Sequence, residues 1–127
     1  MRYLGIDFGT KRIGVALSDE AGTMAFPHST VKNDSQALVV LVQIVKENGV
    51  EKIVMGESFD YRGQPNAVMS AITRFAEALE KQAGVPLVYE RETLTTREAS
   101  HIQGEHSKID ASAAALILTS YLDKQRA

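Results

Sequence analysis

The chain of 127 residues has 44% hydrophobic residues, no cysteine, and 14 Lys and Arg against 16 Asp and Glu, a formal net charge of -2. That length suits one compact domain, 1–127, with a substantial core, and the missing cysteines exclude a disulfide scaffold, a thiol nucleophile and a thiolate zinc site. The overall basic footprint of a nucleic-acid binder is absent; residues 1–65 and 66–127 each hold seven basic and eight acidic residues, so any basic surface has to be local. Residues 3–8 ("YLGIDF") and 13–18 ("IGVALS") read as two strands, joined by a glycine-containing turn too short for a crossover and therefore antiparallel. A third short strand is expected over roughly 23–30. "NDSQALVVLVQIVKENG" reads as a helix that Asn33 or Asp34 caps and Gly49 stops, with Leu38, Leu41, Val42 and Val45 as its apolar stripe. "KIVMG" at 52–56 is a short buried strand, followed by the polar loop "ESFDYRGQP". Residues 66–83 form a second helix with Val68, Ile72, Phe75 and Leu79 on one face, ending at Gly84. "PLVYE" is the last strand, "TTRE" at 95–98 matches a capping box that opens a short helix, and a final helix runs from about Ile109 to Asp123. Two strand–helix–strand crossovers beside an antiparallel hairpin predict an α/β fold, a mixed sheet flanked by helices.

Asp7 is the unusual residue of the first strand. A carboxylate near a core has to be compensated. Alternation puts Leu4, Ile6 and Phe8 on one face and Tyr3, Gly5 and Asp7 on the other, and Gly5 and Gly9 leave space around the Asp7 side chain. Capping of the turn, or pairing with Arg12, are the plain alternatives. Glu92 stands just past "PLVYE", at the carboxyl end of a parallel strand, where open sheets build their sites. Glu90 is its rival, and Arg91 is able to pair with either. Asp110 falls in the first turn of the expected last helix, a position Asp also takes for capping and dipole reasons. In "DASAAALILTSYL", Asp110, Ala113 or Ala114, Ile117 and Tyr121 share a stripe. The alanines let that helix lie close to the sheet and bring Asp110 beside Asp7. Three converging carboxylates require divalent cations, and oxygen donors alone suit Mg²⁺ or Mn²⁺. Such a centre supports phosphodiester hydrolysis. Lys11 and Arg12 at the hairpin turn are candidates for contact with a phosphate backbone. His28, beside Pro27, and His101 and His106 match no zinc spacing.

Four stretches together carry a resemblance: "GIDFGTKRIGVALSD", "KIVMGESFDYRG", "ETLTTREA" and "KIDASAAALILTSYLD". The chain resembles, over nearly its whole length, the RuvX (YqgF) family, a branch of the RNase H-like superfamily related to the Holliday junction resolvase RuvC. The resemblance implies an RNase H-like fold and a metal-dependent nuclease. It implies that Asp7, Glu92 and Asp110 hold Mg²⁺ or Mn²⁺, and that the partner is nucleic acid. Structured RNA, in 5′-end maturation of pre-16S rRNA and thus in ribosome biogenesis, is the first expectation, and branched DNA (a Holliday junction) the second. In this chain the family's Asp-Glu-Arg reads Arg91-Glu92-Thr93, and its Leu-Pro reads Glu57-Ser58. The segment before Asp110 keeps Lys108. Arg91 and Lys108 therefore join Lys11 and Arg12 as expected nucleic-acid contacts. The altered middle motifs and the net charge also fit a noncatalytic nucleic-acid-binding or ribosome-assembly factor. No two-fold interface is specified, so a monomer or weak homodimer is expected. No apolar run reaches membrane-spanning length and no signal-peptide pattern opens the chain, so the expectation is a cytoplasmic protein without a membrane partner.

Overall fold

The computed structural model describes residues 1–57, 67–91 and 106–126. Strands β1 (Arg2–Phe8), β2 (Arg12–Ser18) and β3 (Ala25–Lys32) are followed by helix α1 (Ala37–Glu47) and strand β4 (Val50–Glu57). Helix α2 (Ala67–Ala83), strand β5 (Leu87–Arg91) and helix α3 (His106–Arg126) complete the order. The five strands form one sheet in the order β3-β2-β1-β4-β5. β1 with β2, and β2 with β3, are antiparallel; β1 with β4, and β4 with β5, are parallel. This is the mixed sheet that the short hairpin connection and the two helical crossovers predict. The capping box at 95–98 and the loop from Ser58 lie outside the described residues. Among the described residues, no helix is long and apolar enough to cross a membrane.

Strand alternation sorts the core into two layers. Leu4, Ile6, Ile13, Val15, Ile53 and Met55 pack on one face against Leu41, Ile44 and Val45 of α1 and Ile72 and Leu79 of α2. On the other face, Ala16 and Val54 meet Ala114, Ile117, Leu118, Tyr121 and Leu122 of α3. A fully buried Leu or Ile contributes about 1.5–3 kcal/mol, so the thicker layer beneath α1 and α2 dominates stability. The second layer is thinner and rich in alanine, which sets how closely α3 lies on the sheet.

The main departures from the sequence reading each have a local reason. β3 begins two residues late because Asp19 organises the preceding turn. Its carboxylate accepts hydrogen bonds from the Thr23 hydroxyl (2.6 Å), the Thr23 amide (2.7 Å) and the Met24 amide (3.3 Å). The Thr23 hydroxyl, ahead of the amides, holds the Asp19 carboxyl down at about 2. A depressed carboxyl stabilises the fold above its unfolded value of 3.8, and this contribution is lost progressively as pH falls from there through about 2. His28 lies within β3 and is exposed. It is the extra residue where the β2–β3 register shifts between Val15–Ser29 and Ala16–Pro27, a bulge on an edge strand that tolerates Pro27.

The cap of α1 is also different. The helix is preceded by Gln36, whose amide donates to the Asp34 carboxylate (2.9 Å), while the Asn33 side chain turns away to the Gly9 carbonyl (2.7 Å). Gly49, at φ 61°, and Gly84, at φ 72°, end α1 and α2 as expected, in a left-handed conformation that other residues rarely adopt. α3 extends three residues beyond the expected span at each end. An apolar stripe marks only the buried part of a helix, and its hydrogen bonding continues through the polar turns on either side.

Candidate functional site

β1, β4 and β5 run parallel and end at one edge of the sheet, and β2 begins and β3 ends there. Asp7 is the penultimate residue of β1 at that edge and is partly buried. Its face is fixed by its neighbours. The Tyr3 ring lies 5.9 Å from that of Tyr121, tilted by 52°. At Gly5, an added Cβ would stand 2.8 Å from Leu118 Cβ and 2.9 Å from the Ala114 carbonyl oxygen, so α3 crosses β1 almost in backbone contact. Asp7, two residues further along, shares this α3 face. It pairs with Gly14 on β2. On the β4 side Ile6 pairs with Met55, so Gly56 follows in the row beside Asp7. Glycines thus stand beside Asp7 on both neighbouring strands, while the space over Gly5 is filled by α3.

The turn after Asp7 is closed by a hydrogen bond from the Gly9 amide to the Arg12 carbonyl (2.9 Å). A Cβ at Gly9 would lie 2.5 Å from that oxygen, so the turn requires glycine. This holds Lys11, exposed in the turn, and Arg12, the first residue of β2, at the Asp7 edge. Arg91 ends β5 at the same edge, opposite Glu57 of β4.

Glu90, the rival second acid, is engaged elsewhere. It is 5% exposed, and its Oε2 accepts from the Ser120 hydroxyl and the Lys124 ammonium, each at 2.7 Å. Both partners belong to α3, so the Glu90 carboxylate fastens the helix to β5. Glu92 follows β5 directly in sequence and lies outside the described residues, as do the side chains of Lys108 and Asp110. The backbone of Asp110 is described, and it corrects the expected position: α3 starts at His106, so Asp110 is its fifth residue and the first turn holds no acid. A fifth residue is past the reach of capping. Among the described residues, no three His, Cys, Asp or Glu side chains gather as a metal site.

The sequence reading missed Lys32. It ends β3 and pairs directly with Arg12, and Thr30 pairs with Gly14 in the row of Asp7. The bulge at His28 sets that register, and no sequence signal announces it.

Comparisons with known proteins bear on the whole arrangement. A family model described as "RuvX: Holliday junction resolvase" matches residues 1–124. A protein of Syntrophus aciditrophicus named "Putative pre-16S rRNA nuclease" is 40% identical, the match covering 97% of this chain and 89% of that protein. A Bacillus subtilis protein of the same name is 38% identical, with 97% and 98% covered. Among solved structures, Thermus thermophilus RuvC in complex with a Holliday junction substrate superposes with a TM-score of 0.63 at 17% identity, covering 99% of this chain and 96% of that one. The fowlpox virus resolvase bound to Holliday junction DNA gives 0.62 at 10% identity, covering 98% and 99%. The fold is therefore RNase H-like, as the resemblance implied. With its model matched from residue 1 to residue 124 and relatives at 38–40% identity over nearly the full length, the chain belongs to the RuvX family.

Proposed function

We propose that residues 1–127 form one nuclease domain that hydrolyses phosphodiester bonds with Mg²⁺ or Mn²⁺ held by Asp7, Glu92 and Asp110. The observation that carries this reading is the register of α3 on β1. Tyr121 sits at Tyr3, and Leu118 and Ala114 sit at Gly5. Residue 110 lies about one helical turn N-terminal to Ala114, whose carbonyl approaches Gly5, and Asp7 lies two residues beyond Gly5 on the same sheet face, so both acids neighbour one close contact. The position of Asp110 beyond the first turn supports a ligand role over a capping role. Gly14 and Gly56, beside Asp7 on the neighbouring strands, add no side chain that would exclude a hydrated cation, and an all-oxygen donor set suits Mg²⁺ or Mn²⁺.

A bound divalent ion supplies charge stabilisation and a more acidic water. The rest is done by the chain itself. Asp7, Glu92 and Asp110 fix the cation positions from three separate elements. Lys11, Arg12, Arg91 and Lys108 hold the phosphate backbone in register with them. The names of the relatives support pre-16S rRNA as substrate, and the reading is maturation of its 5′ end in the cytoplasm. Branched DNA is the second reading, favoured by the family description and the resolvase-like fold.

The test is Mn²⁺-dependent cleavage of an RNA carrying the 5′-extended pre-16S segment, beside a four-way DNA junction. Glu92→Gln is expected to lose about 10²–10³-fold in rate, equivalent to about 3–4 kcal/mol of transition-state stabilisation. Glu90→Gln, which alters only a contact between β5 and α3, is expected to stay within about 3-fold, a loss under about 1 kcal/mol. The reverse order of losses would make Glu90 the ligand. Cleavage of the junction but not the RNA would select the DNA reading, and RNA binding without any cleavage would select the noncatalytic one.

A further inference from the structure

Beside the Asp7 edge, a cleft of about 640 Å³ opens between the β1–β2 turn and the end of β3, lined by Thr10, Lys11, Arg12, Thr30, Lys32 and Asn33. We propose that this cleft is a phosphodiester-binding subsite, with Lys32 as its unassigned central cation. It seats a backbone phosphate of the bound strand next to the one cut at Asp7; its place along a cleaved strand rests on the nuclease reading above.

Three observations carry it. The first is charge. Arg12 and Lys32 are direct partners across the β2–β3 ladder, and Lys11 adjoins them. Directly opposed residues of a ladder share one sheet face, so the charges of Arg12 and Lys32 lie on one side of the sheet, where a local patch attracts an anion. Among the described residues, no acidic side chain lines the cleft. The Asp34 carboxylate, next in sequence, accepts from the Gln36 amide instead.

The second is rigidity. Asn33 ties the two walls together: its side chain donates to the Gly9 carbonyl (2.7 Å), and its amide donates to the Lys11 carbonyl (3.0 Å). The cations are therefore presented at a fixed separation, which lowers the ordering cost of binding. Thr10 and Thr30 add hydroxyl donors of the kind that contact phosphate oxygens.

The third is position. Thr30, Gly14 and Asp7 lie in one cross-strand row, and Arg12 and Lys32 lie two rows nearer the edge, on the same face. With about 4.8 Å between strands and 3.4 Å per residue, Lys32 stands about 12 Å from Asp7 along the sheet. A strand with its reacting phosphate at Asp7 runs a neighbouring phosphate into the cleft. This is also how a chain of net charge -2 attracts a polyanion, through a local patch.

The test measures anisotropy of a fluorescein-labelled 20-nucleotide RNA in chelator, so that no cleavage occurs, from 50 to 200 mM KCl. Lys32→Gln is compared with wild type and with Lys46→Gln, an exposed change on α1. Each single-strand phosphate contact contributes about 0.7 to the slope of log affinity against log salt. Lys32→Gln is expected to lower the slope by about that much. Its thermal midpoint is expected to hold, because Lys32 is exposed, whereas loss of a merely structural lysine would lower it. Binding of inorganic phosphate in the cleft that saturating RNA does not displace would assign the cleft to free phosphate and overturn the backbone subsite. A slope and affinity equal to those of Lys46→Gln, or no salt-sensitive RNA binding by wild type, would also overturn it. Mn²⁺ titration of the same preparations separates the two ideas. A slope change in Lys32→Gln without Mn²⁺ binding by wild type would sink the metal reading and leave the cleft standing.

Discussion

Asp110→Asn is expected to cut cleavage by about 10²–10³-fold, while unfolding in chelator stays where it was or moves to higher temperature. The split between activity and stability is the informative part. An acid near a helix N-terminus gains about 0.3–1 kcal/mol from the dipole, and the gain falls off beyond the first turn. Asp110 is the fifth residue of α3, so little of that is lost. Against the small loss stands the relief of repulsion from two other carboxylates when no cation is present. A cation positioned at developing charge is worth several kcal/mol, which far exceeds both terms. Cleavage and thermal unfolding measured on one preparation read the two quantities together. Full cleavage by a folded Asp110→Asn protein would remove Asp110 from the mechanism.

The largest effect on architecture is expected at Gly5. A Cβ there meets the Leu118 Cβ at 2.8 Å and the Ala114 carbonyl at 2.9 Å. The second of these is helix backbone, which cannot rotate away, so α3 has to shift bodily. Overpacking of this kind costs about 1–3 kcal/mol. Loss of glycine's freedom in the unfolded chain works the other way by about 0.4–1 kcal/mol. The clash wins. Gly5→Ala is expected to lower the thermal midpoint by about 3–10 °C for a chain of this size, and Gly5→Val by more. Cleavage measured well below the midpoint is expected to fall too, because in the proposed site the moving helix would carry Asp110 away from Asp7. A wild-type midpoint for Gly5→Ala would contradict the close approach of α3.

Both predictions rest on features that were legible in the sequence to different degrees. The hairpin, the two crossovers and the alternation of β1 were readable because each has its own period and turn chemistry. Asp7 stood out because a charge interrupts an apolar strand between two glycines. The close seat of α3 was readable from its alanines, and Gly5 supplies the other half of that contact. The ends of α3 were not readable, since polar turns continue a helix without leaving an apolar stripe. That hid the shift of Asp110 out of the capping position. Glu90 and Glu92 are two residues apart, so alternation gives them the same face and no pattern separates them. Only Ser120 and Lys124, thirty and more positions away, show that Glu90 is engaged. Lys32 was invisible for a similar reason: its partner depends on a bulge at His28 in an edge strand.

The central claim, a cation site built on Asp7, is tested most directly by calorimetric titration of Mn²⁺ into the wild-type protein and into Asp7→Asn. Saturable Mn²⁺ binding by wild type is expected, with a loss in Asp7→Asn of at least about tenfold in affinity, or about 1.4 kcal/mol. Wild-type protein that binds no Mn²⁺, or Asp7→Asn protein that binds it as tightly as wild type, would contradict the account.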